Sequence, residues 1–369
     1  MSQLIIGFLV ISGIGALLAL LIELAGTFIA DYGLCHLNIN NKKNLEVQGG
    51  FPLLFSLAEQ GVFLPSACGG KGTCAYCKVK VHEGGGPVLP TEEPYLSPQE
   101  LENNVRLSCQ VKVRNDITIE IPEELFLIQE FKVQVKSIKD LTHQVKAVSL
   151  KILTEDEGIT YHPGQYIQLE VPKFKLSKEP EFRAFSIASP PQEQRHIELY
   201  VGRVNKGIVS TYIHDYLKKG EEVKARGPFG DFFYKDSDRD ILMIATGTGL
   251  APIMSILRFF KAENIHRKTT LFFGTRLKVD LYCMEELGEL EKELKDFKFI
   301  PTLSKEPSDS TWEGERGRVT SLIENTMTVK ENTDIDVYIC GNADMVESSA
   351  DLLIEKGVPE EQIYYDKFT

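Results

Sequence analysis

Cys68, Cys74 and Cys77 are spaced C-x5-C-x2-C, and Cys109 follows after a further thirty-one residues. Four thiolates so arranged enclose either one zinc ion or a 2Fe–2S cluster. Structural zinc sites usually pair two short knuckles, whereas here three cysteines share one loop with Gly69, Gly70 and Gly72 and the fourth stands alone. That asymmetry favours iron and sulfide. Glycine suits such a loop because backbone N–H groups can approach negatively charged sulfurs only where no Cβ intervenes. Cys68, Cys74, Cys77 and Cys109 are therefore the candidate metal ligands. The other cysteines, Cys35, Cys283 and Cys340, are scattered, and seven in 369 residues are too few for a disulfide-stapled secreted scaffold. Clustered thiols of this kind point to a reducing compartment.

Two further segments have phosphate-binding character. Ile241 to Ala245 reads as a strand that runs into Thr246, Gly247, Thr248, Gly249, Leu250, Ala251 and Pro252. Its glycines fall at a strand-to-helix turn, where dinucleotide phosphates bind, although G-x-G without a third glycine is a weak motif by itself. Gly207, Ile208, Val209, Ser210 and Thr211 open a predicted helix ending near Leu217, whose unpaired N–H groups and dipole favour a pyrophosphate. In isolation Ser210 reads equally as a plain N-cap, and Arg183, Ala184, Phe185 and Ser186 as an ordinary edge strand. The seven histidines, His36, His82, His143, His162, His196, His214 and His266, show no H-E-x-x-H spacing or carboxylate pattern and read as surface or turn residues. No nucleophile elbow or Walker loop is present. Trp312 reads as a loop anchor.

The elements that must position these residues follow from pattern. The length predicts two or three domains, and 43% hydrophobic with 25% charged residues is a globular composition. A net charge of −12 lacks the cationic footprint of nucleic-acid binding. Leu4 to Ile22 are nineteen uncharged residues, read as a single membrane-spanning helix. A cleaved signal peptide competes with that reading, but no basic residue precedes the run. Lys42 and Lys43 follow it and place the rest of the chain in the cytoplasm. Glu23 sits either at the membrane interface or against a partner helix. Residues 34–48, Lys78–His82 and Ile117–Ile121 read as strands around a helix at Leu53–Gln60, with Gly84–Gly86 as a tight turn. Val133–Val135, Val145–Ile152, Gln165–Val171 and Ile197–Val204 suggest an antiparallel barrel. From Asp240, strands at Ile241–Ala245, Thr270–Phe273, Phe297–Leu303, Asp336–Cys340 and Gln362–Tyr365 alternate with helical segments, as in a parallel α/β sheet. The expected fold is multidomain α+β and α/β: anchor 1–30, a ferredoxin-like (β-grasp) 2Fe–2S domain 33–126, a barrel 129–236 and a Rossmann-like α/β domain 237–369.

The segments SACGGKGTCAYCKVKVHEGGGPVLPTE and RLSCQV, behind a single apolar helix, resemble the family of F subunits of sodium-translocating NADH:quinone reductases. The resemblance implies a 2Fe–2S centre on the four clustered cysteines, with FAD and NADH as the other cofactors. It makes Arg183 a flavin-phosphate ligand, Phe185 a ring beside the flavin and Ser186 a group near its reactive nitrogen. Phe185 stands where reductases of this type carry tyrosine, so stacking is kept and a phenolic hydrogen bond lost. Gly207, Val209, Ser210 and Thr211 match a second flavin-phosphate segment. Thr246, Gly247, Thr248 and Gly249, with Gly274, Thr275 and Arg276, match the nicotinamide-nucleotide segments. Cys340 and Gly341 flank the hydride-transfer site by the same resemblance, with Asn342 replacing a proline; otherwise Cys340 is a small buried hydrophobe. Phe368 covers the flavin, or merely caps the last strand. Arg276 and Lys278 could receive a 2′-phosphate, but Asp280 lies near and the resemblance favours NADH.

The implied activity is NADH oxidation, with hydride passing to FAD and single electrons to the 2Fe–2S centre. Ser186, Cys340 and Phe368 are then the positioning residues at the reaction. The implied partners are integral-membrane redox subunits of a respiratory complex in the cytoplasmic membrane. The segment between Gly164 and Arg183 is shorter than in that family. An alternative is a membrane-tethered reductase feeding an oxygenase. A third reading, a non-catalytic zinc-binding adaptor, explains four cysteines and an anchor but leaves the flavin and nicotinamide motifs without a role.

Overall fold

A computed structural model describes residues 2–29, 32–153, 158–326 and 334–368, with side chains of the first helix described from 6 to 20. The predicted anchor lies partly outside these residues. Helix α1 (Ser2–Ile29) presents Phe8, Leu9, Ile11, Leu17 and Leu18, all exposed. Among the described residues no helix is long and apolar enough to cross a membrane.

The chain divides into two compact units, residues 1–64 with 70–127, and 65–69 with 128–369. In the first, β1 (Leu34–Ile39) and β2 (Lys43–Gln48) form a hairpin whose turn residues Asn40 and Asn41 both have positive φ, 55° and 54°. Asparagine tolerates that conformation, which matches the twist of the paired strands. With β3 (Lys78–Glu83), β4 (Val105–Leu107) and β5 (Ile117–Glu120) they make a mixed sheet of order β2-β1-β5-β3-β4, in which β1 and β5 run parallel. The short helix α2 (Leu53–Glu59) covers it, burying Leu53, Leu54 and Leu57 against Leu37, Ile39, Val79, Ile117 and Ile119. Helix α3 (Pro98–Glu102) leads into β4 and is opened by a capping box between Ser97 and Glu100. Gly84–Gly86 is an open bend rather than a tight turn. Its shape comes from Arg106, which donates to the carbonyls of Gly85, Gly86 and Pro87.

The second unit joins two sheets. An antiparallel sheet contains β6 (Gln129–Asp140), β7 (Val145–Ile152), β8 (Tyr166–Val171), β9 (Glu181–Ser186), β10 (His196–Gly202) and β11 (Glu222–Phe229), ordered β10-β7-β6-β11-β8-β9. Its two edges meet only at a bridge between Ile187 and Leu199, so it is a half-closed barrel. Helix α4 (Ile208–Asp215) crosses one end. The parallel sheet contains β12 (Asp240–Thr246), β13 (Thr269–Thr275), β14 (Phe297–Leu303), β15 (Glu315–Arg316), β16 (Ile335–Asn342) and β17 (Ile363–Phe368), ordered β15-β14-β13-β12-β16-β17. Helices α5 (Leu250–Glu263) and α6 (Met284–Glu293) bury one face, and α7 (Val319–Thr326) and α8 (Ala343–Glu355) the other. The core beneath α5 continues into the barrel, uniting Ala147, Ala188 and Tyr200 with Leu250, Ile253, Met254 and Phe273. Arg258 of α5 reinforces that join. It donates to the Ala188 carbonyl at 2.9 Å, to Glu198 at 2.7 Å and, through two nitrogens, to Glu286 at 2.6 and 2.8 Å.

The first unit holds a buried ion pair. Arg106 meets Glu92 at 2.6 Å, with side-chain exposures of 5% and 0%. Burial pushes the Glu92 carboxyl up, but Arg106 and the N–H groups of Leu89 and Leu107 outweigh it and hold the group below its ordinary range. A carboxylate depressed in the folded state stabilises fully above its unfolded pKa of about 4.3, and that stabilisation is lost as pH falls through the lower folded value. Arg106→Ala leaves Glu92 buried and unpaired, and it should cost about 3–5 kcal/mol of stability at neutral pH. Circular-dichroism melting checks this: an unchanged midpoint would show the pair to be dispensable.

Candidate functional site

Three groups of side chains named from the sequence come together, each on its own elements. In the first unit, Cys77 precedes β3 and Cys109 follows β4; both are buried. The two strands pair in antiparallel register, Lys78 opposite Leu107, and so bring the two thiols into hydrogen-bond contact. That bond and burial push the Cys77 thiol far up, as expected of a thiol lacking a counter-charge. Among the described residues no three His, Cys, Asp or Glu side chains converge as a metal site requires. Cys74 is half-buried and Cys68 buried, on the glycine-rich loop. Gly69, Gly70, Gly72 and Ala75 all have positive φ, between 59° and 81°. The loop is thus held in a conformation that glycine adopts readily and Ala75 adopts only with strain. Gln110 donates its side-chain amide to Cys109 Sγ at 3.7 Å and accepts from the Thr91 hydroxyl at 3.0 Å. A chain with a thiol pair, a positive-φ loop and an amide aimed at sulfur fits a thiolate-held cluster.

The second group lies on the barrel. Ser186 ends β9 and is buried, Phe185 packs on the barrel core, and Arg183 is half-buried, bonded through Nη1 to the Phe182 carbonyl at 2.6 Å and to Glu181 at 3.2 Å. Arg183 is therefore engaged within its own strand. Helix α4 begins at Ile208 with Gly207 as its N-cap, so Ser210 is not the cap that isolated reading allows. Its hydroxyl instead accepts from the Val204 N–H at 3.2 Å and fixes the preceding loop. The first-turn N–H groups, including those of Val209 and Ser210, have no partner inside the helix, the ordinary condition of a helix start and a suitable one for phosphate.

The third group surrounds the end of β12. Thr246 leads into a 3-10 turn, Gly247–Gly249, and then α5. A Cβ on Gly249 would lie 2.1 Å from the Cys340 carbonyl oxygen, so only glycine permits β16 to approach this turn. A Cβ on Gly202, at the end of β10, would lie 3.2 Å from Thr248 Cγ2, so the barrel's edge reaches the same turn. The Thr246 hydroxyl is buried and has no hydrogen-bond partner, as expected of a group awaiting a ligand. Cys340 is fully buried, and burial pushes its thiol well up, so it is a neutral, apolar wall. Phe368, opposite Asn342 at the end of β17, packs on the same core as Cys340. Gly274 and Thr275 close β13, while Arg276 is exposed beyond it. Gly341, with φ 153°, follows Cys340.

Several participants are invisible in the linear pattern. Tyr282 donates to the Gly247 carbonyl at 2.8 Å, and its ring meets Tyr200 and Phe273 edge to face. Arg258 also gives no signal in the sequence, because its partners Glu286, Glu198 and Ala188 lie 28 to 70 residues away. The histidines show no carboxylate pattern along the chain, yet His36 lies 3.3 Å from Asp116 and His82 3.0 Å from Glu120. Those carboxylates arrive from the neighbouring strand β5 or its approach, which spacing along the chain does not reveal.

Family matches coincide with these groups: a 2Fe-2S iron-sulfur cluster binding domain over residues 37–114, an oxidoreductase FAD-binding domain over 132–234 and an oxidoreductase NAD-binding domain over 243–351. The F subunit of the Na(+)-translocating NADH-quinone reductase of Neisseria meningitidis serogroup B is 34% identical over 404 aligned positions, covering 99% of each chain. Its counterpart in Mannheimia succiniciproducens is 34% identical, covering 100% of this chain and 99% of its own. The chain belongs to this family. Its members align over more positions than the 369 residues present here, so they carry additional residues. Among solved structures, the Amycolatopsis cytochrome P450 reductase GcoB is 26% identical with a TM-score of 0.73, covering 91% of this chain and 99% of its own. The ferredoxin reductase in carbazole 1,9a-dioxygenase is 25% identical with a TM-score of 0.71 and the same coverage. The chain is thus an NADH oxidoreductase of the ferredoxin-reductase type, with FAD and a 2Fe–2S cluster as its cofactors.

Gly249→Ala tests the close approach of β16 to the turn. Backbone cannot yield as a flexible side chain does, and overpacking costs about 1–3 kcal/mol. The KM for NADH should therefore rise roughly tenfold while the flavin absorbance of the purified protein stays unchanged; equal KM values would remove Gly249 from the nucleotide site.

Proposed function

We propose that this chain oxidises NADH at the inner face of a cytoplasmic membrane and delivers electrons to integral-membrane redox subunits that reduce quinone. The observation that carries the reading is one chain presenting the Cys77–Cys109 thiol pair, a flavin-type barrel and a nicotinamide-type turn, with full-length likeness to the F subunit of an NADH-quinone reductase. When bound, FAD takes hydride from NADH and the 2Fe–2S centre accepts the electrons one at a time, which lets a two-electron donor serve a one-electron acceptor.

The chain's own residues supply positions rather than protons. Thr246, Gly247, Thr248 and Gly249 receive the pyrophosphate of NADH, with Gly274, Thr275 and Arg276 beside the adenosine half. Arg183 and the start of α4 at Gly207, Val209, Ser210 and Thr211 hold the flavin phosphates, Arg183 exchanging Glu181 for phosphate. Phe185 stacks by the flavin and Ser186 lies near its reactive nitrogen. Cys340, Gly341 and Phe368 line the nicotinamide side and keep water out. Neutral Cys340 suits this role, since hydride transfer needs ring alignment and no general acid. Cys68, Cys74, Cys77 and Cys109 hold the cluster. The apolar residues exposed around α1, Phe8, Leu9, Ile11, Leu17 and Leu18 among them, support single-pass anchoring, because a helix apolar on every side is stable only when lipid or protein surrounds it.

A second reading, a reductase that feeds an oxygenase, is favoured by the likeness to the cytochrome P450 reductase and the carbazole dioxygenase reductase. Gentle solubilisation and co-purification separate the two: integral-membrane redox subunits support the first reading, and a soluble hydroxylase replaces it with the second. A chain lacking residues 1–30 should move from the membrane pellet to the supernatant while keeping NADH oxidation; retention in the pellet would refute the anchor. Cys68→Ala should preserve NADH oxidation by artificial two-electron acceptors and abolish reduction of one-electron protein acceptors. Loss of both activities would contradict the division of labour.

A further inference from the structure

Two donors meet the Gly247 carbonyl. The N–H of Leu250 closes the 3-10 turn onto it, and the Tyr282 hydroxyl donates to it at 2.8 Å. Tyr282 is 4% exposed, so this carbonyl is drawn towards the core, although Gly247 itself lies at the surface. A trans peptide group is planar, and its C=O and N–H point in opposite directions. A Gly247 carbonyl held inward therefore aims the N–H of half-buried Thr248 outward. Gly247 has φ 54°, and a Cβ there would meet nothing within 4 Å. Glycine serves this position through its freedom of rotation rather than for lack of space, and that freedom has to be restrained from outside. Tyr282 is equipped to restrain it. Its ring stands edge to face on Tyr200 of β10 and on Phe273 of β13, with centroids 5.5 Å apart in each pair and planes at 89° and 86°. Such contacts fix the ring from two sides. The Tyr200 hydroxyl is met in turn by Arg258 Nη2 at 3.2 Å and by the Cys283 thiol at 3.4 Å. Burial pushes the Tyr282 phenol well up, so it stays protonated and remains a donor.

We propose that Tyr282 is a positioning residue for NADH: by holding the Gly247 carbonyl inward, its hydroxyl keeps the Thr248 N–H facing the pyrophosphate. This rests on the reading that the turn Gly247–Gly249 receives that pyrophosphate. The same hydrogen bond keeps the negative end of the Gly247 carbonyl dipole from turning onto two phosphates, where it would repel them. Without the hydroxyl only the Leu250 N–H holds the carbonyl, and the peptide between Gly247 and Thr248 gains freedom that the bound state must remove. No bond forms or breaks at Tyr282, so nucleotide binding depends on its hydroxyl and the chemical step does not.

The test is Tyr282→Phe in the full-length protein, which keeps the ring and removes the hydroxyl. In steady-state assays with ferricyanide as acceptor, the KM for NADH should rise about tenfold while kcat and the flavin absorbance stay unchanged. The inhibition constant of ADP-ribose, which carries the pyrophosphate without the nicotinamide, should rise by the same factor. That of adenosine, which has no phosphate, should not move. An unchanged KM or ADP-ribose constant, a fall in kcat alone, or an equal rise for adenosine overturns the proposal. Loss of flavin or of cooperative melting in the variant overturns it too, because the hydroxyl would then serve the core rather than the turn. If ADP-ribose fails to compete with NADH in the unsubstituted chain, the pyrophosphate reading itself fails instead.

Discussion

Hydride moves only between atoms in near contact, about 3–3.5 Å apart with their orbitals aligned, so the surface that holds a flavin and the surface that holds a nicotinamide have to behave as one body. A single apolar core meets this demand, running from Ala147, Ala188 and Tyr200 of the half-barrel into Leu250, Ile253 and Phe273 of the parallel sheet. Apolar contact is non-directional, and by itself it allows the two sheets to slide. Direction comes from Arg258, whose planar fork engages a barrel carbonyl, a barrel carboxylate and Glu286 of the neighbouring helix. Tyr282 continues the arrangement to the carbonyl of Gly247, placing the dinucleotide turn in the same framework. Alignment at the candidate site is therefore a property of packing several residues away from any reacting atom.

Much of this is readable in the chain because local patterns and final elements agree. Val145–Ile152 and Phe297–Leu303 are strands over the limits their alternation predicts, and the glycines after Ala245 sit at the turn where a strand must become a helix. The strand β11 (Glu222–Phe229), absent from the expected strands, does alternate charged Glu222, Lys224 and Arg226 with buried Val223 and Ala225, but its last residues include Gly227–Pro228, a pair that reads as a turn. Lys224 and Arg226 are paired across strands with Glu130 and Glu170, which lie 56 to 96 residues away along the chain. The candidate site divides the same way. Cysteine spacing and glycine turns are local signals, whereas Arg258 and Tyr282 acquire meaning only when residues distant along the chain come together.

The cysteines show how one residue type serves opposite chemical ends. Cys340 is sealed in the core of the parallel sheet, with Asp366 adding to the cost of charge; its thiol stays neutral across the physiological range. It is suited to wall off a ring and unsuited to bind iron. Cys77 is also buried and its thiol also raised, first by the neighbouring Cys109 thiol and then by burial. Burial alone thus does not separate a structural cysteine from a ligand.

The same reasoning explains why the chain keeps two compact units. The half-barrel and parallel sheet share a core because the transfer between their ligands requires contact. Single-electron transfer from a flavin to a cluster needs neither bond formation nor orbital alignment at contact distance, so no such sharing is demanded of the β-grasp unit. It holds Cys77 and Cys109 with its own core around Leu37, Leu53 and Ile117 and its own buried ion pair, Arg106–Glu92. The pair lies two residues from Ser108 and three from Cys109. A buried ion pair is a poor source of stability compared with apolar packing, but it fixes geometry because either partner alone is costly to leave. Its placement beside the ligand strand, rather than deeper in the sheet, follows from that property: the strand entering the cluster loop is the part of the unit whose position matters most.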